Sequence, residues 1–108
     1  MEKATFAAQG LEQAFATVPG VRAVRGGSIE PDWEAVELDY DPWKVSFDGL
    51  LAVFWDAHDP TVPGSAIFPH TVEQHAAAAS SLERMRGRLG PDRPPSTAIL
   101  PGGRFEPR

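Results

Sequence analysis

The residues that could do chemistry in this sequence are few, because its 108 residues include no cysteine. Thiolate nucleophiles, cysteine-ligated metals and disulfide relays are therefore excluded within these residues. Glu34 is the strongest remaining candidate for a catalytic residue. It shares one predicted strand face with Val36, Leu38 and Tyr40, so we expect it to be partly buried. Partial burial favours the neutral carboxyl group, which can donate a hydrogen bond or a proton.

The three histidines are weaker candidates. His58 and Asp59 could form an acid/base pair, but we interpret His58 as the end of an apolar helix face and Asp59-Pro60 as the helix stop. His70 and His75 are five positions apart and straddle a predicted helix start, so we do not expect them to share a ligand-binding face. Without cysteine or a His-x-x-x-His pair, the sequence predicts no metal site.

Two glycine pairs and three tryptophans complete the candidates. Gly26-Gly27 and Gly102-Gly103 lack the strand-to-helix context of a dinucleotide-binding or phosphate-binding loop, so we read both pairs as turns and predict no cofactor. Trp55 is predicted to lie in the core. For Trp33 and Trp43 we favour packing over a role in binding, although exposed tryptophan is enriched at binding surfaces.

Composition limits the possible partners. The hydrophobic fraction of 42% and the charged fraction of 23% are typical of a globular protein, and the length predicts one domain over residues 1–108. The net charge of -5 disfavours partners with phosphate backbones or anionic lipid surfaces, so we expect neither nucleic acid nor membrane as a partner. No signal peptide or membrane span is recognisable, so we expect a cytoplasmic location.

Hydrophobic periodicity predicts the elements that must position these residues. Strands are predicted at 5–8, 21–25, 33–40, 65–68 and 97–100, and helices begin near residues 11, 46 and 71. This order predicts an α+β fold, a two-layer ferredoxin-like α/β plait with a mixed sheet and its helices packed on one face. The tail at 102–108 is expected to be loose.

The third helix carries the most detailed prediction. Thr71 and Gln74 form a Thr-x-x-Gln capping-box pattern at its start, and Ser46 is the predicted N-cap of the helix before it. The residues predicted to form its inner face are Val72, Ala76, Ala79, Leu82 and Leu89. Gly90-Pro91 is predicted to end it.

Four ordered stretches resemble the peptide methionine-S-sulfoxide reductase A family. The first is Ala-Thr-Phe-Ala at 4–7 followed by Leu-Glu-Gln-Ala-Phe at 11–15 and Val-Pro-Gly-Val at 18–21. The second is Glu-Ala-Val at 34–36 through Tyr-Asp-Pro at 40–42. The third is Leu-Leu at 50–51 through His-Asp-Pro-Thr at 58–61 and Ser-Ala-Ile-Phe at 65–68. The fourth is Thr-Ala-Ile-Leu-Pro at 97–101 with Arg-Phe at 104–105. Together they span nearly the whole chain.

The resemblance implies the family's fold, but it also exposes what is missing. Family members reduce methionine-S-sulfoxide with a cysteine at the start of the first helix, in a Gly-Cys-Phe-Trp stretch whose aromatic rings form the methyl pocket. Here Ala8, Gln9 and Gly10 are the remnant of that loop, and the resemblance implies that they line a substrate-binding site. Glu34 matches the family's catalytic acid. The insertions before Ser65 and after Gly27 that supply further catalytic residues in the family are shortened here.

Three functions remain open at this point. The leading hypothesis is a family member that is catalytically degenerate and acts by binding a small ligand, a methionine-containing peptide or a protein. The alternative is an enzyme with non-thiol acid/base chemistry that uses Glu34. Membership of the peptide-methionine (S)-S-oxide reductase family would not by itself establish reductase activity. The third is a structural module, for example a homo-oligomer that covers exposed sheet edges.

Overall fold

The computed structural model describes residues 1–108 and contains six strands and three helices. In chain order they are β1 (Glu2–Ala7), α1 (Leu11–Ala16), β2 (Val21–Ile29), β3 (Trp33–Tyr40), α2 (Phe47–Ala57), β4 (Ala66–Phe68), α3 (Val72–Leu89), β5 (Ala98–Ile99) and β6 (Phe105–Pro107). The strands form one sheet in the order β5-β4-β1-β3-β2-β6, with only the β4–β5 pair parallel. The predicted α+β fold with a mixed sheet is confirmed.

The main core lies between the sheet and the three helices. Alternation along β1 and β3 directs Ala4, Phe6, Val36, Leu38 and Tyr40 to this side, and all are buried there. The Phe6 ring is fully buried and stacks on three other phenylalanine rings, with centroids 5.1–5.7 Å apart; the partners are Phe15, Phe47 and Phe54. Phe6 therefore joins the central strand to both α1 and α2.

The opposite face of the sheet is covered by an irregular segment rather than by helices. Residues in register across all six strands form one row of small side chains and a proline: Ala98, Ala66, Ala7, Ala35, Gly27 and Pro107. Strands β5 and β6 lie at opposite edges, so the segment 100–104 that links them crosses this face. Leu100, at its start, and Phe105, directly after its end, pack against the second buried cluster formed there.

The rest of that face carries charge. Arg25 donates hydrogen bonds to the carboxylates of Glu37 and Asp39, and Lys3 donates to Asp39 at 3.0 Å. The hydrogen bond from Arg25, followed by that from Lys3, lowers the pKa of Asp39 to about 2. This end of the face therefore stays polar and open to water.

Strand β2 runs straight through Gly26-Gly27, so the turn predicted there is wrong. A Cβ on Gly27 would meet the backbone carbonyl oxygen of Glu106 and would lie 2.7 Å from the Phe105 ring. The missing side chain makes room for the neighbouring strand instead of allowing a change of direction. The end of the chain was also predicted wrongly, because part of the expected loose tail forms β6 against β2.

The helix N-caps were predicted correctly, and the inner face of α3 was predicted correctly only in part. The hydroxyls of Ser46 and Thr71 accept hydrogen bonds from the amides of Gly49 and Gln74, each at 3.0 Å. The buried residues of α3 are Gln74, Ala78, Ser81, Leu82 and Met85, with Leu89 partly buried. Two residues of the predicted inner face are exposed, Val72 at 83% and Ala76. The prediction was wrong at those two positions because inward positions of the helix are also taken by polar, hydrogen-bonded residues, Gln74 and Ser81.

Candidate functional site

The three-residue connection between β1 and α1 is at the centre of the candidate site. Strand β1 ends at Ala7 and α1 begins at Leu11, so Ala8, Gln9 and Gly10 form the loop; we call it loop 8–10. Gly10 precedes the helix with φ of 79°, in the left-handed region that glycine adopts without a steric penalty. Ala8 is buried and Gln9 is exposed.

Loop 8–10 borders three neighbouring cavities. The α1–β3 cleft, of about 410 Å³, is lined by Ala8, Gly10, Leu11, Glu12, Gln13, Glu34, Ala35 and Val36. The Trp33 cleft, of about 370 Å³, is lined by Ala8, Gln9, Asp32, Trp33, Glu34 and Gly64. The His58 cleft, of about 360 Å³, is lined by Ala8, Gln9, Ala57, His58, Asp59 and the residues 62–65. The fold therefore brings the predicted loop and Glu34 to one place.

Glu34 does not have the environment predicted for it. Its side chain is 59% exposed, and Nη1 of Arg108 lies 3.3 Å from its carboxylate oxygen. The strand parity was correct, because Val36, Leu38 and Tyr40 on the same face are buried. Glu34 stands near the start of β3, however, before the part of the strand that the helices cover. Partial burial was therefore the wrong expectation.

The His58 ring is held in place by one hydrogen bond, and its other ring nitrogen has no hydrogen-bond partner. Its Nδ1 lies 2.7 Å from the carbonyl oxygen of Phe54; a carbonyl can only accept, so Nδ1 is the donor and Nε2 of the neutral ring is an acceptor. Nε2 is buried and has no hydrogen-bond partner. The ring packs on Phe54, with centroids 4.4 Å apart, and on Trp55 at 6.0 Å. Burial lowers the pKa of His58, against the opposing effects of Phe54 and Asp59.

The lowered pKa of His58 predicts a pH-dependent stability. The unfolded chain binds a proton at His58 near the ordinary pKa of about 6.5, while the folded protein takes it up only at lower pH. The free energy of unfolding should therefore fall as the pH drops through about 6.5 towards 5. Urea unfolding at several pH values measures this effect.

The controls for this prediction are two histidine variants. In His58→Phe the dependence on pH between about 5 and 7 should become flatter, because the titrating group is gone. In His75→Ala it should keep the wild-type slope, since the His75 side chain is exposed. Equal slopes in all three proteins would contradict the assignment to His58.

The other two histidines border a separate groove. His70 Nε2 is 2.8 Å from the hydroxyl of Thr5, and both His70 and His75 line a cavity of about 580 Å³ between the start of α3 and β5. From their spacing we expected that His70 and His75 would not share a ligand-binding face. Both line this groove, so that expectation is wrong. No cluster of three or more His, Cys, Asp or Glu side chains is arranged to hold a metal ion, and no helix is long and apolar enough to cross a membrane.

The tryptophans differ in their surroundings. Trp55 is buried, as expected, and its Nε1 donates to Ser81 at 3.2 Å. Trp33 is half-buried and makes an edge-to-face contact with Phe68, with centroids 6.1 Å apart, so it packs on the sheet and also borders a cleft. Trp43 is 95% exposed, so the packing that we favoured for it is wrong.

Sequence comparison identifies one family. A family model described as peptide methionine sulfoxide reductase matches residues 2–107. A relative from Methanoculleus marisnigri, described as peptide methionine sulfoxide reductase MsrA, is 41% identical over 97% of this chain and 82% of its own length. That alignment is 135 positions long, against 108 residues here, so more than two dozen positions of the relative have no counterpart.

Solved structures share the fold. Methionine sulfoxide reductase A of Corynebacterium diphtheriae aligns with a TM-score of 0.79 and 24% identity, over 97% of this chain and 69% of that chain. Mxr1 from Saccharomyces cerevisiae, solved in complex with Trx2, aligns with a TM-score of 0.82 and 21% identity, over 97% of this chain and 78% of that chain. These similarities support the sheet order and the position of the helices.

Proposed function

This chain belongs to the peptide methionine sulfoxide reductase family, and from that premise we propose that it is a non-catalytic member that binds a methionine-containing peptide at loop 8–10. The observation that carries the proposal is the composition of this loop together with its surroundings. Ala8, Gln9 and Gly10 offer no nucleophile, yet they border three open cavities.

Reduction of a sulfoxide requires a source of electrons. Converting a sulfoxide to a thioether and water consumes two electrons and two protons. In the family that this chain resembles, a cysteine thiolate attacks the sulfur and is itself oxidised. Alanine, glutamine and glycine side chains have no electrons to give at accessible potentials, and no cysteine lies anywhere in the 108 residues. Binding without reduction is the chemistry that remains for this loop.

The walls of the cavities suit a side chain with an apolar end and a polar group. The His58 cleft combines Ala57, Val62 and Pro63 with polar groups from Asp59 and Ser65. A methionine or methionine sulfoxide side chain has this combination of a methyl group beside a polarisable or polar sulfur group. Residues 62–64, which border this cleft, are exposed to solvent.

Acid/base catalysis by Glu34 has less support. Its carboxylate is exposed and forms an ion pair with Arg108, and His58 lines a different cavity. No observation favours a hydrolase or an isomerase over binding.

A reductase assay combined with a peptide titration tests the proposal. With dithiothreitol and methionine-S-sulfoxide, the purified protein should show no turnover above buffer, whereas the Methanoculleus marisnigri relative serves as the positive control. A short peptide with methionine sulfoxide should shift the backbone amide resonances of Ala8, Gln9 and Gly10. Ala8→Phe should weaken those shifts, because it places a bulky ring at the residue that all three cavities share, and His75→Ala, in the separate groove, should not. Turnover, or the absence of shifts at loop 8–10, would defeat the proposal.

The peptide could be presented by a folded protein. Mxr1 has been solved in complex with Trx2, but a chain without cysteine has no thiol with which to form a disulfide to a partner. A protein partner or a second copy of this chain would therefore be held by non-covalent contacts. Light scattering with and without the peptide separates a homo-oligomer from a monomer that binds ligand.

A further inference from the structure

One guanidinium group connects two carboxylates that line the α1–β3 cleft. Glu12 lies on the α1 side of this cleft and Glu34 on the β3 side. Nη1 of Arg108 donates to Glu34 at 3.3 Å, and its Nη2 donates to Glu12. We call this arrangement of Glu12, Arg108 and Glu34 the Arg108 bridge. It ties together the two elements whose separation defines the cleft.

The backbone holds Arg108 in this place. Strand β6 pairs with β2 from Ile29 opposite Phe105 to Gly27 opposite Pro107, and the Arg108 amide donates to the Gly26 carbonyl at 3.0 Å. A Cβ on Gly26 would meet the Glu12 carboxylate and the Arg108 guanidinium. The two successive glycines therefore clear the space that β6 and the Arg108 bridge occupy.

The bridge is weak enough to open without unfolding the protein. The side chains of Glu12, Arg108 and Glu34 are 50%, 56% and 59% exposed. Exposed ion pairs contribute little to stability because water and salt screen them. Strand β6, which directly precedes Arg108, lies at the sheet edge and has only β2 as a neighbour. The bonds from Arg108 to the two carboxylates can thus break while the hydrophobic core around Phe6 stays intact.

We propose that the Arg108 bridge is an autoinhibitory latch on the α1–β3 cleft. When it is closed, it restrains α1 against β3 and occupies two of the carboxylates that line the cleft. Release of Arg108 frees Glu34 and allows the cleft to widen for a ligand. This inference rests on the proposed binding at loop 8–10 and adds the regulation of that site. An incidental surface ion pair would leave the motions of the cleft unchanged when it is removed.

Amide hydrogen exchange on two arginine variants tests the latch directly. Arg108→Ala removes the guanidinium but keeps the backbone bond to Gly26. Arg104→Ala is the matched control, because Arg104 lies just before β6, is highly exposed and pairs only with Glu106. Exchange at residues 8–12 and 34–36 should be about threefold to tenfold faster in Arg108→Ala, as expected for losing two exposed ion pairs, and unchanged in Arg104→Ala. Unchanged exchange in Arg108→Ala, or equal acceleration in both variants, would overturn the latch.

Salt and peptide binding separate this proposal from the proposed function. At about 1 M salt, where charges are screened within about 3 Å, the wild-type exchange should approach that of Arg108→Ala. The methionine sulfoxide peptide should bind Arg108→Ala several-fold more tightly than the wild type. If exchange accelerates but neither protein binds the peptide, the latch stands and the proposed function fails. If both bind equally with equal exchange, the function stands and the latch fails.

Discussion

Replacing Phe6 by alanine is expected to lower the free energy of unfolding by about 3–5 kcal/mol, one of the largest effects of any single substitution in this chain. The Phe6 ring is fully buried and stacks on Phe15, Phe47 and Phe54. Its removal takes apolar surface out of the core and leaves a cavity that three aromatic rings from different elements must close. A domain of this size has only about 5–15 kcal/mol in total.

Urea unfolding followed by tryptophan fluorescence measures the effect of Phe6→Ala. Phe6→Leu should cost less, about 1–1.5 kcal/mol, because most of the volume is retained. Phe105→Ala is a useful comparison, since that ring is half-buried on the other face of the sheet. A loss below about 1 kcal/mol for Phe6→Ala would contradict the central role of this ring.

The sequence predicted well wherever a local pattern decides the structure. Strand β3 has the predicted limits, Trp33–Tyr40, because alternation between a buried and a solvent-facing side leaves one register. The N-caps at Ser46 and Thr71 form the expected hydrogen bonds, since a hydroxyl at that position satisfies a free amide of the first turn. Helix α3 ends at Leu89, before Gly90.

Prediction from the sequence failed where a segment far away in the chain determines the local structure. A Gly-Gly pair such as Gly26-Gly27 is compatible both with a turn and with a strand that another backbone approaches closely. Here the approaching backbone is β6, nearly eighty positions away in the chain, so nothing near the glycines distinguishes the two cases. The ordering of the tail has the same cause, because residues 105–107 become a strand only through β2.

The residues named for the candidate site lie close to one another, but the environment of Glu34 was predicted wrongly. The resemblance placed Ala8, Gln9, Gly10 and Glu34 together, and the structure puts them around adjoining cavities. The partner of Glu34 was missed, because an ion pair to Arg108 across 74 positions leaves no local sequence signal. The contribution of His58 to a cleft with Ala8 was also missed, since that cleft depends on the path of residues 62–65.

Gln74 gives the other large expected effect. It is 3% exposed and joins three parts of the chain. Its Nε2 donates to the Lys3 carbonyl at 2.8 Å and to the Tyr40 hydroxyl at 3.2 Å, while its Oε1 accepts from the His70 amide at 2.9 Å. In a capping box, Oε1 of Gln74 would instead accept a hydrogen bond from the amide of Thr71, the residue after His70. The side chain instead ties the start of α3 to β1 and β3.

Gln74→Leu should therefore lower the free energy of unfolding by about 2–4 kcal/mol, because its polar partners lose hydrogen bonds in a place that water does not reach. The same measurement on His75→Leu should change little, since that neighbouring side chain is exposed. Gln74→Glu tests the donated hydrogen bonds separately from the packing. It replaces the donating amide with a carboxylate oxygen facing the Lys3 carbonyl, so its loss should be larger at pH 7 than near pH 4, where a protonated carboxyl can donate. Equal losses at both pH values would show that packing, and not the donated hydrogen bonds, is what Gln74 contributes.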